Sequence, residues 1–128
     1  MRLLLDTHAL IWWWTDASQL SATARGMIAD EHNDILVSAA SAWEIATKQR
    51  LGKLGLPQLT LRRYVALLAA DGFVSLPITT EHALSAGSYP ASHGDPFDRM
   101  LAAQAELEDL TLVSKDRALR LFGVELLW

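Results

Sequence analysis

The sequence has no cysteine, only four prolines, no excess of positive charge and no long apolar segment. Without cysteine, the chain has no disulfide scaffold, no thiolate nucleophile and no zinc site built from thiolates. The longest apolar run, Tyr64 to Ala70, is far shorter than the ~20 residues of a membrane helix. Asp6 and His8 interrupt the apolar start of the chain and no small-residue cleavage site follows, so we expect no signal peptide. We therefore predict a soluble protein without membrane contact, located in the cytoplasm.

What the sequence does contain is enough apolar material for a core. Its 128 residues are 51% hydrophobic and 20% charged, which excludes intrinsic disorder and suits a single domain over 1–128. Eleven basic residues against fifteen acidic residues give a net charge of −4, so no global positive field attracts a polyanion. Nucleic-acid binding would then depend on local charge, for example on cations held by a cluster of carboxylates.

Short runs rich in Leu, Val and Ile alternate with helical segments, which predicts an α/β fold with a parallel sheet covered by helices. The predicted strands are 2–5, 34–38, 73–76, 111–114 and 124–126. The predicted helices are 21–31, 40–51, 60–71, 80–87, 96–108 and 116–122. The third of these helices carries an apolar stripe at i, i+3, i+4 and i+7 that should cover the core, namely Leu61, Tyr64, Val65 and Leu68. Two short linker-like stretches rich in Gly and Pro lie at 51–58 and 87–96.

Acidic residues follow two of the predicted strands. Asp6 comes directly after the first strand, and Asp116 lies two residues past the end of the fourth. In open parallel sheets, ligand sites form outside the carboxyl ends of the strands. Glu44 lies about a turn into the helix after the second strand, and Asp95 and Asp98 bracket the start of the helix before the fourth. All five acids can face one edge of the sheet.

Carboxylates gathered at one edge repel one another unless a cation lies between them, and their hard oxygen atoms suit Mg²⁺ or Mn²⁺. The hypothesis that follows is a metal-assisted phosphoryl-transfer site. Such a metal positions and activates a water for in-line attack on a phosphodiester and eases departure of the leaving oxygen. This chemistry needs no side-chain nucleophile.

Each acid also has an ordinary structural interpretation. Asp95-Pro96-Phe97-Asp98 is a good helix start, with Asp at the N-cap, Pro at the first position and a second acid at N3. Asp116 and Asp6 could likewise be helix caps. Glu44 and Lys48, four residues apart, could form an ordinary surface ion pair. The coincidence of all these acids favours a functional site.

Four segments of the sequence carry a family resemblance: LLLDTH at 3–8, SAASAWEI at 38–45, DPFDRMLAAQA at 95–105 and LVSKD at 112–116. Each is unspecific alone, but their order and spacing are specific and cover nearly the whole chain. Together they resemble the PIN-domain ribonucleases, and in particular the toxins of bacterial VapBC toxin-antitoxin pairs.

The resemblance implies a PIN-like three-layer fold with a central parallel sheet of about five strands in the order 3-2-1-4-5. It implies a catalytic acidic metal site formed by Asp6, Glu44, Asp98 and Asp116. Asp95 becomes an auxiliary acid or a cap, and Ser114 an auxiliary hydroxyl at a position where the family most often has threonine. The resemblance further implies Mg²⁺- or Mn²⁺-dependent cleavage of RNA, a homodimer, and silencing by a VapB-type antitoxin.

Further residues are candidate contacts. Those proposed for RNA are Lys48, His93, Arg99 and Lys115. Three consecutive indoles, Trp12, Trp13 and Trp14, cannot all point inward from one helix, because successive side chains lie ~100° apart. We expect at least one to be exposed or at an interface, and partner contact is favoured over plain packing or base stacking. The histidines lack paired metal-ligand spacing, so we expect loop or surface positions for His8, His32, His82 and His93.

Other function classes compete with the nuclease hypothesis. A phosphate-receiving signalling domain needs an acceptor Asp closing a middle strand, where this sequence has Ser38-Ala39-Ala40 or Leu76-Pro77. An aspartyl phosphatase needs a second acid two residues after the first, where His8 stands. A catalytically degenerate PIN scaffold that only binds a partner and a DNA nuclease with the same metal chemistry both stay open.

Overall fold

The computed structural model describes residues 1–54, 59–90 and 92–128. Its strands are β1 (Arg2–Leu5), β2 (Asp34–Ser38), β3 (Val74–Leu76), β4 (Thr111–Val113) and β5 (Leu126–Leu127). Its helices are α1 (Thr7–Trp14), α2 (Ala22–Ala29), α3 (Ala39–Arg50), α4 (Leu61–Asp71), α5 (Thr80–Ser88), α6 (Pro96–Leu107) and a 3₁₀-helix (Arg117–Phe122). In these ranges no helix is long and apolar enough to cross a membrane. Part of each predicted linker-like stretch, residues 55–58 and residue 91, lies outside the described residues.

The strands form one parallel sheet in the order β3-β2-β1-β4-β5. This confirms the predicted α/β class and the strand order that the family resemblance implied. The central strand β1 pairs with β2 on one side and β4 on the other, and Leu3, Leu4 and Leu5 are fully buried. A strand that is covered on both faces has a continuous apolar sequence, as β1 does.

Two apolar layers cover the two faces of the sheet, because successive side chains of a strand point to opposite faces. Leu3 and Leu5 belong to a cluster that is completed by side chains of α1, α2, α3 and α4. Leu4 belongs to a second cluster, built with side chains of α6 and the 3₁₀-helix. The sheet is thereby held between helices, and its carboxyl edge lies where α1, α3 and the 3₁₀-helix begin.

No range was predicted for helix α1, although the cap interpretation of Asp6 and the argument on the three indoles both assumed a helix there. It begins after the N-cap Asp6 and contains an almost unbroken apolar run, so no polar face produces a 3.6-residue periodicity. Strand β5 begins at Leu126, two residues later than predicted. The segment predicted as a helix at 116–122 is a 3₁₀-helix with Asp116 as its N-cap.

At least one of the three consecutive indoles was expected to be exposed or at an interface, and the first of these alternatives is not observed. Trp12, Trp13 and Trp14 are all partly buried and pack against the first core cluster. The indole N–H groups of Trp13 and Trp14 both donate to Oδ2 of Asp71 in α4, at 3.2 and 2.9 Å. Trp12 meets the ring of Trp128 edge to face at 5.8 Å. Protein therefore covers α1 on more than one side, and contact of these rings with a partner stays a prediction.

The apolar stripe of α4 is narrower than predicted. Tyr64 and Leu68 are buried, but Leu61 is 81% exposed and Val65 54% exposed. The reason is the position of α4 in the fold, since it packs beside β3, the short strand at the edge of the sheet. A helix at an edge has core on one side only.

The expected surface or loop position is wrong for His82, whose side chain is fully buried in α5. Its Nδ1 accepts a hydrogen bond from the N–H of Thr79 at 3.0 Å, and the Thr79 hydroxyl oxygen accepts from the His82 N–H at 3.2 Å. Nε2 lies 2.9 Å from Oε1 of Glu108. His82 thus takes the place that Glu or Gln usually holds in a capping box.

Two leucines of α4 test this description of the core. Leu68→Ala removes buried methyl groups and leaves a cavity, so we expect the free energy of unfolding to fall by roughly 2–4 kcal/mol. Leu61→Ala changes an exposed side chain on the same helix and should alter it by less than about 0.5 kcal/mol. Urea unfolding followed by circular dichroism measures both. Equal losses in the two variants would contradict the observed packing of α4.

Candidate active site

The carboxyl ends of the two central strands carry the first two acids. Leu5 of β1 and Val113 of β4 are register partners, so the chain leaves both strands at the same level of the sheet. Asp6 follows as the N-cap of α1, and its Oδ1 accepts from the N–H of Ala9 at 2.7 Å. Asp116 is the N-cap of the 3₁₀-helix. The cap interpretation and the sheet-edge interpretation therefore both hold for these residues.

The third and fourth acids come from α3 and α6. Glu44 is buried in α3, and Asp98 lies in the first turn of α6. Burial raises the pKa of Asp98, and the neighbouring carboxylates of Asp95 and Glu44 raise it further against the effect of His93. Burial raises the pKa of Asp6 to about 6, and the charge of Asp98 adds to that rise. Like charges shift one another's pKa only when they are near, so the predicted acids do converge.

A histidine completes the cluster. Nε2 of His93 lies 2.9 Å from Oδ2 of Asp98. One ligand atom from each of His93, Asp98 and Asp116 lies within 4.8 Å of the other two. The sequence suggested His93 only as a substrate contact, because its position two residues before Asp95 was the one available signal. Asp6 and Glu44 lie outside this group of three but within electrostatic reach of Asp98.

Ser114 connects the two strand-end acids. Its side chain is buried, and its hydroxyl oxygen accepts from the N–H of Asp116 at 3.1 Å. The same side chain hydrogen-bonds the carboxylate of Asp6 and opposes the rise of its pKa. Asp95 has a different place, since it is exposed and caps α6 by accepting from the N–H groups of Phe97 and Asp98 at 2.9 and 3.1 Å. Its auxiliary role at the site stays a prediction.

The ion pair of Glu44 with Lys48 is not an ordinary surface pair. The Glu44 side chain is 6% exposed and the Lys48 side chain 30% exposed. Lys48 therefore offsets the charge of a buried carboxylate instead of extending into solvent, because an unpaired buried charge is strongly destabilising. Lys115 is exposed between Ser114 and Asp116. Contact of Lys48 or Lys115 with RNA stays a prediction.

Arg99, predicted as an RNA contact, makes hydrogen bonds within the chain. Its Nε and its two terminal nitrogens donate to the carbonyl oxygens of Ala86, His93 and Tyr89, at 2.9, 3.0 and 2.6 Å respectively. The planar guanidinium thus ties the segment that carries His93 to the start of α6. This positioning role was missed, because no sequence pattern reports hydrogen bonds to main-chain carbonyls.

Two hydroxyls beneath the site were also missed. Oγ1 of Thr7 donates to Oγ of Ser41 at 3.1 Å, and both side chains are buried. The bond joins α1 to α3, one residue after Asp6 and three residues before Glu44. The available signal was a hydroxyl directly after Asp6 and another about one helical turn before Glu44, but hydroxyls at helix starts are usually explained by capping.

Residues 3–124 match the PIN domain family. The chain belongs to the PIN domain family. It is 36% identical to ribonuclease VapC22 of Mycobacterium tuberculosis over 122 residues, which cover 92% of this chain and 89% of that protein. It is 40% identical to ribonuclease VapC16 of the same organism over 62 residues, which cover 48% of this chain and 43% of that protein. The family predicted from the sequence is confirmed.

Solved structures share the fold of this PIN domain. The VapBC2 complex of Rickettsia felis, bound to a DNA fragment from its promoter, matches with a TM-score of 0.69 at 15% identity, over 99% of this chain and 98% of the other. FitAcB of Neisseria gonorrhoeae matches with a TM-score of 0.61 at 20% identity, over 98% and 96% of the two chains. At such identities the likeness shows the fold.

The donor set of the cluster fits a divalent cation. PIN-domain ribonucleases are generally metal-dependent, and this chain offers a candidate acidic metal site. Carboxylate oxygens are the ligands that hard cations prefer, and an imidazole is compatible with manganese and other transition ions. Burial raises the pKa of both Asp6 and Asp98, and neighbouring carboxylates add to each rise, Asp98 for Asp6 and Asp95 and Glu44 for Asp98. A bound cation would relieve this cost of charging the two groups.

Asp6 makes the stability of the metal-free protein depend on pH. Its pKa is raised from 3.8 to about 6, so the folded chain retains a proton that the unfolded chain releases between about pH 4 and pH 6. This contribution to stability is fully present below pH 4 and is lost as the pH rises through 6. Relative to Asp6→Asn, we expect the wild-type free energy of unfolding to fall by about 3 kcal/mol in total between about pH 3 and about pH 7. Urea unfolding in chelator measures it, and a constant difference between the two proteins would contradict the prediction.

Arg99→Lys separates a positioning role from a phosphate contact. Lysine keeps the positive charge but cannot donate to three carbonyl oxygens from one plane. We expect the free energy of unfolding to fall by about 1–3 kcal/mol, as in the loss of buried hydrogen bonds. Arg50→Lys, at an exposed position at the end of α3, is the matched control and should change it by less than about 0.5 kcal/mol. Equal stability of the two variants in urea would show that the hydrogen bonds of Arg99 are dispensable.

Proposed function

We propose that this PIN domain is a metal-dependent endoribonuclease and the toxin of a toxin-antitoxin pair. The observation that carries the proposal is the meeting of His93, Asp98 and Asp116 within 4.8 Å beside the buried carboxylate of Asp6. Membership of the PIN family and 36% identity to ribonuclease VapC22 over most of both chains support RNA as the substrate.

In the proposed site, Asp6, Glu44, Asp98 and Asp116 hold the metal, and His93 joins them. A bound Mg²⁺ or Mn²⁺ would supply positive charge to the scissile phosphate and activate a water for in-line attack. The chain's own residues position the ligands. Ser114 orients Asp6 and Asp116, and Arg99 fixes the segment of His93. Lys48 limits the total negative charge through Glu44.

The proposed partner is a VapB-type antitoxin. The relative VapC22 and the structural neighbour VapBC2 carry the names of the VapBC pairs that the sequence resembles, which supports a partner of that kind. A homodimer, a cytoplasmic location and a single domain over 1–128 belong to the same proposal. The family match over residues 3–124 supports the single domain.

A nuclease assay tests the proposal. Purified, partner-free protein is incubated with labelled single-stranded RNA and with DNA of matched sequence, in Mg²⁺, Mn²⁺ or chelator. We expect RNA cleavage in the metals alone. Asp98→Asn should lower the rate by more than the ~10–100-fold that is lost when hydrogen-bond partners of metal ligands are removed. Asp34→Asn is the same change at the amino end of β2, at the end of the sheet away from the acids, and it should retain the rate.

Each other outcome selects an alternative. Cleavage of DNA but not RNA would keep the metal chemistry and overturn the toxin function. Without cleavage of either, a metal-dependent rise in melting temperature would favour the degenerate scaffold, since a ligand held only by the folded state stabilises it. RNA cleavage that persists in Asp98→Asn would overturn the proposed site.

A further inference from the structure

An apolar pocket lies beside the acidic cluster, between α3, α5 and α6. Its volume is about 190 Å³, and its walls include Ala40, Trp43, Ile78, Phe97, Arg99 and Met100. Trp43 is 61% exposed, which is a large exposed fraction for the largest apolar side chain. Its ring meets that of Phe97 edge to face, with centroids 4.9 Å apart. Exposed aromatic surface around a concavity is typical of a binding site.

The pocket and the acidic cluster are built by the same two helices, one residue apart. Trp43 directly precedes Glu44 in α3, and Phe97 directly precedes Asp98 in α6. The two rings touch, and the two carboxylates lie within electrostatic reach of each other. Because neighbouring residues of a helix point ~100° apart, the acids face the cluster while the rings face the adjoining surface. Any polymer with a phosphate at the acids therefore passes next to the rings.

We propose that this pocket is a nucleobase subsite in which a base of the RNA next to the cleaved phosphate stacks on Trp43, with the nearly perpendicular ring of Phe97 against its edge. The inference rests on the proposed nuclease function and adds two substrate-positioning residues to it. Single-stranded RNA is commonly held by splaying bases onto aromatic side chains. Such stacking is tolerant of sequence because every base has a π face.

The volume of the pocket and the net charge of the chain favour a base over other occupants. Its volume is below the ~300–1,000 Å³ of pockets that enclose whole small-molecule ligands, and it suits one planar ring system. A protein partner would have to bury about 1,000 Å², so this pocket could form only a small part of such an interface. The wall is also preformed, since Arg99 holds the carbonyl of Ala86. A chain of net charge −4 gains from contacts that bind RNA without a positive field.

A binding comparison tests the subsite without depending on catalysis. The probes are fluorescent single-stranded oligoadenylate and an abasic ribose-phosphate oligomer of equal length and charge, in chelator. We expect the wild type to prefer the oligoadenylate by roughly 5- to 100-fold, and Trp43→Ala to lose most of that preference. Trp43→Phe should retain most of it. Leu84→Ala, which truncates a 67% exposed side chain in α5, should leave it unchanged.

The subsite is overturned if Trp43→Ala discriminates between the two probes as the wild type does. It is also overturned if Trp43→Ala changes only the oligomeric state in light scattering, which would make the pocket a contact between copies of this chain. The melting temperatures of the variants are compared with that of the wild type, so that a loss of binding caused by unfolding is recognised.

Parallel cleavage assays keep the two proposals distinguishable. With the RNA that the wild type cleaves, Trp43→Ala should raise KM with kcat nearly unchanged, because Trp43 is not one of the proposed metal ligands. Cleavage with wild-type KM would overturn the subsite and leave the nuclease intact. Loss of all RNA cleavage in the wild type, with base preference intact, would overturn the nuclease and support the subsite as a single-strand binding site.

Discussion

The pairing of β1 between β2 and β4 sets the geometry of everything at the site. Leu3, Leu4 and Leu5 are fully buried, and their alternate side chains join the two core clusters on opposite faces of the sheet. A slip of one residue would exchange those faces, so burial fixes the register of β1. The ladder continues into the site, because the N–H of Asp6 donates to the carbonyl of Val113 at 3.0 Å. Packing of uncharged leucines therefore decides where the carboxylates lie.

The acids at this edge are capping groups and cluster members at the same time. A carboxylate has two oxygens, so Asp6 can accept the N–H of Ala9 with one of them and still present charge to its neighbours. The starts of helices also favour negative charge, which applies to Asp98 in the first turn of α6. Capping thus lowers the free-energy cost of gathering carboxylates, and it does not compete with a function. Burial is the main cause of the raised pKa of Asp6 and Asp98, and the remaining repulsion between carboxylates adds to it.

Much of the fold was predicted from sequence patterns, because apolar strands and the acids that follow them are local features of the sequence. A parallel sheet then brings the carboxyl ends of its strands, and the acids with them, to the same edge. The features that were missed depend on contacts between distant segments. The carbonyl partners of Arg99 and the burial of His82 against Glu108 are examples. The three consecutive tryptophans are a further example. Helix geometry predicted that their rings point in different directions, but it could not predict that the Asp71 carboxylate accepts hydrogen bonds from two of them. Periodicity describes one element, whereas burial depends on what packs against it.

The negative net charge and the proposed RNA substrate are compatible once charge is considered locally. A polyanion approaching this chain meets a field of −4 at long range, so electrostatic steering does not drive association. At short range a cation held by the acids would reverse the sign at the site itself. The adjoining rings of Trp43 and Phe97 offer contacts to uncharged bases, which require no positive field. A site that binds the phosphate through a cation and the base through an aromatic ring favours single-stranded RNA, because bases paired inside a duplex cannot reach a pocket beside the cleaved phosphate.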